Sequence, residues 1–246
     1  LVPKSTGEHK GAPVSKIHLG HGSEWHTLRY LGRHRRLFTD QILKVIGGDA
    51  IVWKDFEFTG GIGENQNYGD AELKGLDFLP DCAVKADWRS WWPQSGNVPN
   101  WDAVGVLEHG GDREWVLVEA KGNVEELRQS TKAKPRSQGG GLDLIQQRLA
   151  ETQVACGITD GGDWTQPFYQ YANRLATLQF LLDRGVAARL VFVYFIGDAT
   201  RDKTCPATSE GWRPSLDAMK SKLGLTGASK LELCVHEVFM PVVQTA

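Results

Sequence analysis

Seven consecutive apolar side chains extend from Leu190 to Ile196, and the length of this segment restricts the folds that the chain can adopt. A membrane-spanning helix needs about 20 such residues, whereas a strand buried on both faces needs only about four to eight. A helix of about five turns is predicted just before the run, because Pro167 and Gly185 bracket apolar residues at helical spacing. This helix extends from Pro167 to Arg184. Together the two segments predict a sheet with a central strand that helices cover on both faces.

The remaining segments place further helices and strands around this pair. The periodicity predicts helices at Ser23–Phe38, Asp40–Ile46, Leu142–Gly157 and Pro214–Leu223, and strands at Ala50–Phe58 and Leu231–Val235, the last at a sheet edge. Trp88, Trp91 and Trp92, with Pro93 and Gly96, are interpreted as a rigid aromatic loop over the core. The order of elements predicts a mixed α/β (α+β) layer fold.

The chain is predicted to contain one structured domain. Residues 1–22 lack periodicity and are rich in Gly, Pro, Ser and Lys, which predicts a flexible leader. Residues 23–246 then form a single domain with a helix and an edge strand as its C-terminal extension. No segment has the charged and apolar blocks of a secretory signal, and the four cysteines show no metal-ligand spacing. We therefore expect reduced thiols and a cytoplasmic protein without membrane association.

Charge is unevenly distributed along the chain. The formal net charge is −2, which excludes a protein that binds polyanions through its overall charge. Two local groups of basic residues remain as candidates for contacts to nucleic-acid phosphates. They are Arg29, Arg33 and Arg36, which form one stripe on the predicted first helix, and Lys132, Lys134 and Arg136 in a flexible loop over residues 129–141. Solvated surface is the alternative interpretation of both groups.

A predicted β-hairpin carries the residues that point to chemistry. Its strands extend from Trp101 to Leu107 and from Trp115 to Lys121, with a turn over residues 109–112. Alternation puts Glu119 and Lys121 on one face of the second strand. The hairpin brings Asp102 beside Glu119, so two carboxylates and one ammonium group converge.

This group of side chains suits a divalent metal ion. Mg²⁺ or Mn²⁺ prefers oxygen ligands and usually takes one or two carboxylates together with water and substrate phosphate. Asp102, Glu119 and the backbone carbonyl of Ala120 are the predicted metal ligands, and Lys121 is predicted to orient a water molecule or neutralise developing charge. The alternative is that Glu119 and Lys121 form an ordinary ion pair at a strand end.

In these residues the chain resembles the PD-(D/E)xK nuclease superfamily, which has the restriction-endonuclease-like fold. Asp102 matches the superfamily's Asp, and Glu119 with Lys121 matches its (D/E)xK motif; Pro99 is the nearest proline, and Trp101 precedes Asp102. The segments 118–122 and 169–174 are most similar to bacterial members. The resemblance implies an αβββαβ core with a central mixed sheet flanked by helices, and nuclease activity.

The resemblance also implies further site residues. Members of the superfamily often add an acidic residue from the first helix, and Glu24 is the candidate here, although Ser23 beside it suggests a helix cap instead. The helix from Pro167 to Arg184 corresponds to one that packs beside the catalytic strands. On it, Gln170 and Asn173 are candidates for phosphate contact or for orienting Lys121, while a solvated polar face is the alternative.

The sequence thus predicts a Mg²⁺- or Mn²⁺-dependent nuclease that hydrolyses DNA, with a homodimer as one possible assembly. A second hypothesis is a catalytically silent module of the same fold that binds nucleic acid or a protein partner. A third is that the Trp-rich segment 88–101 recognises a ligand and the carboxylates are structural. Motifs of serine hydrolases, P-loop NTPases, zinc peptidases and dinucleotide-binding enzymes are absent from the sequence.

Overall fold

The computed structural model describes residues 20–59, 69–71, 73–94, 98–159 and 161–242. Nearly all of the predicted leader, and Gly96 of the predicted aromatic loop, lie outside these ranges. The described helices are α1 (Ser23–Arg33), α2 (Arg35–Ile46), α3 (Ala83–Trp91), α4 (Leu142–Ala155), α5 (Tyr169–Asp183) and α6 (Ser209–Leu223). The described strands are β1 (Ala50–Trp53), β2 (Glu57–Thr59), β3 (Gly69–Ala71), β4 (Leu73–Lys74), β5 (Asn100–Trp101), β6 (Ala103–His109), β7 (Asp112–Lys121), β8 (Ala188–Ile196) and β9 (Val235–Pro241).

A five-stranded mixed sheet forms the centre of the described structure. Its strand order is β1-β6-β7-β8-β9, with antiparallel pairing from β1 to β7 and parallel pairing from β7 to β9. Two small two-stranded sheets, β2 with β3 and β4 with β5, accompany it. The predicted mixed α/β architecture is therefore confirmed.

The predicted β6–β7 hairpin is confirmed, but both strands extend further toward the turn than predicted, and only two residues form the turn between them. Gly110 and Gly111 both have positive φ, 57° and 96°, which glycine adopts without steric cost. The resulting register pairs Ala103 with Val118, and the Asp102 N–H donates to the Val118 carbonyl, so Asp102 lies against the end of β7. The hairpin thus delivers Asp102 to the C-terminal end of β7.

Helices cover both faces of the sheet, so β8 is buried almost throughout its length, as its composition predicts. Leu117 packs into the apolar core on one face, together with α4, α5 and α6. Val116, Val118 and Ala120 pack into the core on the opposite face, against α1 and α2. Glu119 and Lys121 share the face of Leu117, because alternate residues of a strand point the same way.

The helix predicted from Ser23 to Phe38 is in fact two helices. The backbone at His34 leaves the helical region, with φ −130° and ψ 31°, and its N–H closes α1 by donating to the Tyr30 carbonyl. Gly32 just before it weakens the helix locally. The predicted basic stripe is therefore divided, because Arg29 and Arg33 lie on α1 and Arg36 lies on α2.

The predicted strand Ala50–Phe58 is also divided, since β1 ends at Trp53 and residues 57–59 pair in a separate sheet with β3. The segment interpreted as an aromatic loop contains a helix, α3. Trp88 on α3 stacks on Trp92 with ring centroids 5.9 Å apart, and both side chains are buried. Burial of this apolar surface favours the helix over a loop.

The C-terminal region differs from the prediction at both elements. α6 begins at Ser209 rather than at Pro214, because the Thr208 hydroxyl caps it by accepting from the Gly211 N–H at 3.2 Å. Residues 232–234 form a 3₁₀ turn, and the edge strand follows as β9. No helix in the described ranges has the length and apolarity to cross a membrane.

Candidate active site

A polar cavity of about 380 Å³ opens at the C-terminal end of β7. Strand β7, the start of α1 and the first turns of α5 form its walls, with irregular segments on the remaining side. The cavity is lined by Ser23, Glu24, Val98, Asn100, Asp102, Glu119, Ala120, Lys121, Glu126, Gln129, Ser130, Lys132, Tyr169, Gln170, Asn173 and Arg174. Polar atoms thus dominate a concave site at the edge of an apolar core.

Asp102 interrupts the first strand of the hairpin, between β5 and β6. Its backbone N–H donates to the Val118 carbonyl at 3.1 Å, which keeps it against β7. Its carboxylate accepts a hydrogen bond from the Ala120 N–H at 2.7 Å. Because the N–H and C=O of one strand residue point to the same side, the Ala120 carbonyl also faces the side of Asp102.

Glu119 is buried, with only 3% of its surface exposed, and two cations hold its carboxylate. One oxygen, Oε1, pairs with the Lys121 ammonium group. The other, Oε2, accepts from Arg174 through Nε at 2.8 Å and Nη2 at 2.6 Å. The geometry accounts for the burial of this carboxylate, since a buried charge persists only with compensating partners.

The pKa values of the two carboxylates are shifted in opposite directions. Burial and the negative charge of Glu119 raise the pKa of Asp102 to about 7, against the opposing effects of Lys121, the Ala120 N–H and Arg174. Burial alone would raise the pKa of Glu119, but the Arg174 and Lys121 charges outweigh it and hold that pKa below its ordinary value. Glu119 is therefore ionised at neutral pH, whereas Asp102 is poised between its two forms.

Lys121 connects the strand to helix α5. Its ammonium group donates to Gln170 Oε1 at 2.8 Å as well as pairing with Glu119. Gln170 lies in the first turn of α5, and Lys121 is only 6% exposed. The helix thereby fixes the position of the ammonium group within the cavity.

The donor set fits a divalent cation with oxygen preference. Asp102 and Glu119 supply carboxylates, Ala120 supplies a carbonyl, and water or phosphate would complete the shell that Mg²⁺ normally keeps. A cation there would also offset the repulsion that raises the pKa of Asp102. In the described part of the chain no group of three or more His, Cys, Asp and Glu residues is arranged as a metal site. Any metal would therefore depend on the two carboxylates, backbone oxygen and solvent.

All five candidate catalytic residues, Glu24, Asp102, Glu119, Lys121 and Gln170, line the cavity. The structure also brings Ala120, Asn173 and Lys132 to its walls. Glu24 is exposed there, in the first turn of α1. Ser23 is the first residue of α1 and not its cap, since Gly22 occupies the cap position without a side chain to bond.

The other predicted phosphate-binding residues do not line the cavity. Arg29 donates to the backbone carbonyl of Val242 at 2.9 Å and so ties α1 to the end of the chain. Arg36 is exposed and lies 3.7 Å from Asp40. Arg33, Lys134 and Arg136 are exposed elsewhere. The segment 129–141 contains a 3₁₀ turn at residues 136–138, anchored where Asp143 accepts from the Arg136 N–H at 2.8 Å.

Arg174 is the residue of the site that the sequence analysis missed. The alternative of a solvated polar face on α5 is wrong for Asn173, Arg174 and Thr177, which are all buried. Arg174 follows Gln170 by four residues, so the two lie on one side of the helix. That spacing, in a helix otherwise rich in leucine, is the signal that would have identified it.

A second buried carboxylate fixes the start of α1 beside the cavity. Asp198, just after β8, accepts from the Gly22 N–H at 3.0 Å and pairs with His26 Nε2 at 2.9 Å. It also accepts from the Ala199 N–H and the Thr200 hydroxyl, each at 2.8 Å. Burial would raise the pKa of Asp198, but these hydrogen bonds hold it below its ordinary value.

Replacing Asp198 with alanine is therefore expected to lower the free energy of unfolding at pH 7 by about 3 kcal/mol. Because the folded pKa is depressed, this stabilisation exists above the ordinary carboxyl pKa and disappears as pH falls through the folded value. Urea unfolding at pH 7 and about pH 3 measures both effects. Asp217→Ala, at an exposed position on α6, is the control and should change stability by less than about 0.5 kcal/mol. Equal stability of the two variants at pH 7 would contradict this role.

Comparison with known proteins identifies no relative of this chain: no family model, no curated protein and no solved structure matches it. The functional interpretation therefore depends on the chain's own residues and geometry.

Proposed function

We propose that this protein is a Mg²⁺- or Mn²⁺-dependent nuclease that hydrolyses phosphodiester bonds of DNA. The observation that carries the proposal is the convergence of Asp102, Glu119 and Lys121 on one polar cavity. A carboxylate that burial and the charge of Glu119 destabilise, the Glu119 carboxylate itself and an ammonium group beside them are the groups that metal-assisted phosphodiester hydrolysis needs. The resemblance to the PD-(D/E)xK superfamily rests on the same three residues.

Each residue then has a distinct task. Asp102, Glu119 and the Ala120 carbonyl would hold the metal ion, which when bound supplies Lewis-acid activation of water and stabilises charge on the phosphate. Lys121, fixed by Gln170 at 2.8 Å, orients the attacking water or neutralises charge that develops on the phosphate oxygens. Gln170 is a positioning residue, because it acts through Lys121. Glu24 stays a prediction as an additional acidic group.

The order of elements supports the proposal of a restriction-endonuclease-like core. The αβββαβ order is given by α1 with α2, the antiparallel strands β1, β6 and β7, the helices α4 and α5, and the parallel strand β8. Strands β2 to β5 and helix α3 are inserted between β1 and β6. The third strand of the αβββαβ order is β7, and Glu119 and Lys121 lie at its C-terminal end and line the cavity. A homodimer stays a prediction.

Cleavage of DNA in the presence and absence of metal tests the proposal. Full-length protein is incubated with plasmid and linear DNA in Mg²⁺, Mn²⁺ or EDTA, with Asp102→Asn alongside. We expect cleavage with either metal, none in EDTA and none by the variant. Cleavage in EDTA, or equal cleavage by wild type and variant, would contradict the proposal.

A second candidate function is a silent module that binds nucleic acid, and one observation favours it. Both oxygens of Glu119 are engaged by Lys121 and Arg174, so the carboxylate is already neutralised within the protein. A purely structural ion-pair network has that form. This candidate predicts DNA binding without cleavage at any metal concentration, which the same experiment detects.

Lys132 is predicted to contribute to DNA binding, because it is exposed at the wall of the cavity. Lys132→Ala should weaken DNA binding about three- to tenfold and reduce the salt dependence by about one counterion. Fluorescence anisotropy at several salt concentrations, in Ca²⁺ or EDTA to prevent cleavage, provides the measurement. Arg113→Ala removes the same charge at the start of β7, outside the cavity, and should leave affinity unchanged. Identical losses in the two variants would contradict a localised DNA surface.

A further inference from the structure

Glu119 is neutralised within the protein before any ligand arrives. Lys121 holds one of its oxygens, and Arg174 approaches the other with two nitrogens, at 2.8 and 2.6 Å. Lys121 belongs to the motif already assigned, but the second cation comes from α5. Arg174 is 3% exposed, and it also lines the cavity.

Four charged groups at the end of β7 balance one another without a metal ion. Asp102 and Glu119 contribute two negative charges when ionised, and Lys121 and Arg174 contribute two positive charges. Glu24, Glu126 and Lys132, which also line the cavity, add one net negative charge. A divalent cation would add two positive charges to a largely buried site, which is costly unless an anion accompanies it. A phosphodiester carries one negative charge and would offset part of that excess.

Arg174 also has contacts that would retain it if it released Glu119. Its Nη1 donates to Asn173 Oδ1 at 2.7 Å, and its Nη2 donates to the Asn100 carbonyl at 2.5 Å. The guanidinium group stacks over the Trp101 ring, 4.9 Å from the ring centre. These contacts keep a planar fork of donors at the cavity wall, and such a fork matches the geometry of phosphate oxygens.

We propose that Arg174 is an internal counter-ion of Glu119, so that a divalent metal ion binds tightly in this cavity only together with a phosphate group. The arriving phosphate takes over the guanidinium donors, and Glu119 is released to the metal. Arg174 is thus a positioning residue that makes metal occupancy depend on substrate. This inference rests on the proposed function and adds that tight binding of the metal ion requires a bound phosphate group.

Titration calorimetry of Mn²⁺ binding tests the inference without any measurement of activity. The full chain is titrated with and without excess dimethyl phosphate, a phosphodiester that carries one charge. We expect dimethyl phosphate to tighten Mn²⁺ binding by the wild type about tenfold or more. Arg174→Gln should bind Mn²⁺ alone about tenfold more tightly than the wild type, and phosphate should then change its affinity little. Arg174→Lys keeps the charge and should retain the coupling.

Arg184→Gln removes the same charge at the far end of α5, outside the cavity, and should behave as wild type. Circular dichroism verifies folding, and Arg174→Met replaces Arg174→Gln if the latter does not fold. Equal Mn²⁺ affinity of the wild type with and without dimethyl phosphate would overturn the inference, whatever the variants do. Wild-type coupling in a folded Arg174→Gln or Arg174→Met would also overturn it. Absence of Mn²⁺ binding under every condition would instead remove the metal-dependent function itself.

Discussion

Replacing Lys121 with methionine is expected to slow Mg²⁺-dependent DNA cleavage by about 100- to 1,000-fold. The ammonium group is fixed between Glu119 and Gln170 Oε1, so no neighbouring cation replaces it in the same position. Methionine retains the length and apolar stem of lysine, and Arg174 still pairs with Glu119. The protein should therefore fold, and the loss should fall on the rate of the chemical step.

Single-turnover cleavage of a labelled duplex measures this effect. Lys132→Met removes the same charge from the exposed wall of the cavity and should affect binding rather than the rate at saturating protein. A Lys121→Met rate within about tenfold of wild type would mean that Lys121 has no catalytic role. A large loss of the single-turnover rate in both variants would mean that the two lysines act through general electrostatic attraction of the DNA.

Asp102→Asn is expected to abolish cleavage while making the protein more stable. The folded pKa of Asp102 is about 7, above the value of an unfolded aspartate. The folded state therefore holds this proton to higher pH, and its stability falls as pH rises from about 4 to about 7. Asparagine carries no charge, so it avoids the cost of an ionised carboxylate in this buried position, and its side-chain oxygen can still accept from the Ala120 N–H.

The predicted gain in the free energy of unfolding is at most about 4 kcal/mol at pH 8 and near zero at about pH 4. Urea unfolding of the metal-free protein at both pH values measures it. Asp112→Asn, at an exposed position in the hairpin, makes the same change of charge and should leave stability nearly unaltered. Glu119→Gln should act in the opposite sense and destabilise by about 3 kcal/mol, since it leaves two buried cations without their carboxylate. Destabilisation by Asp102→Asn at pH 8 would contradict the raised pKa.

The hairpin and the buried strand β8 were predictable because local physics determines them. Two glycines with positive φ set the turn, and alternation along β7 then determines which side chains face each core. Those facts place Asp102 beside the C-terminal end of β7. That part of the site required no knowledge of distant contacts.

The errors arose where tertiary contacts decide local structure. The break at His34 and the helical state of Trp88 depend on what each segment packs against, which periodicity does not reveal. Arg174 was misjudged for the same reason. A polar residue on a helix is usually solvated, and only the approach of α5 to β7 makes it the partner of Glu119.

The central claim is that Asp102 and Glu119 together hold a divalent metal ion, and a crystal grown with Mn²⁺ and dimethyl phosphate tests it most directly. We predict an anomalous scattering peak within coordination distance of both carboxylates and the Ala120 carbonyl, with the Arg174 guanidinium group turned toward the phosphate. Glu119 still paired with both Lys121 and Arg174, and no peak beside Asp102, would contradict the claim.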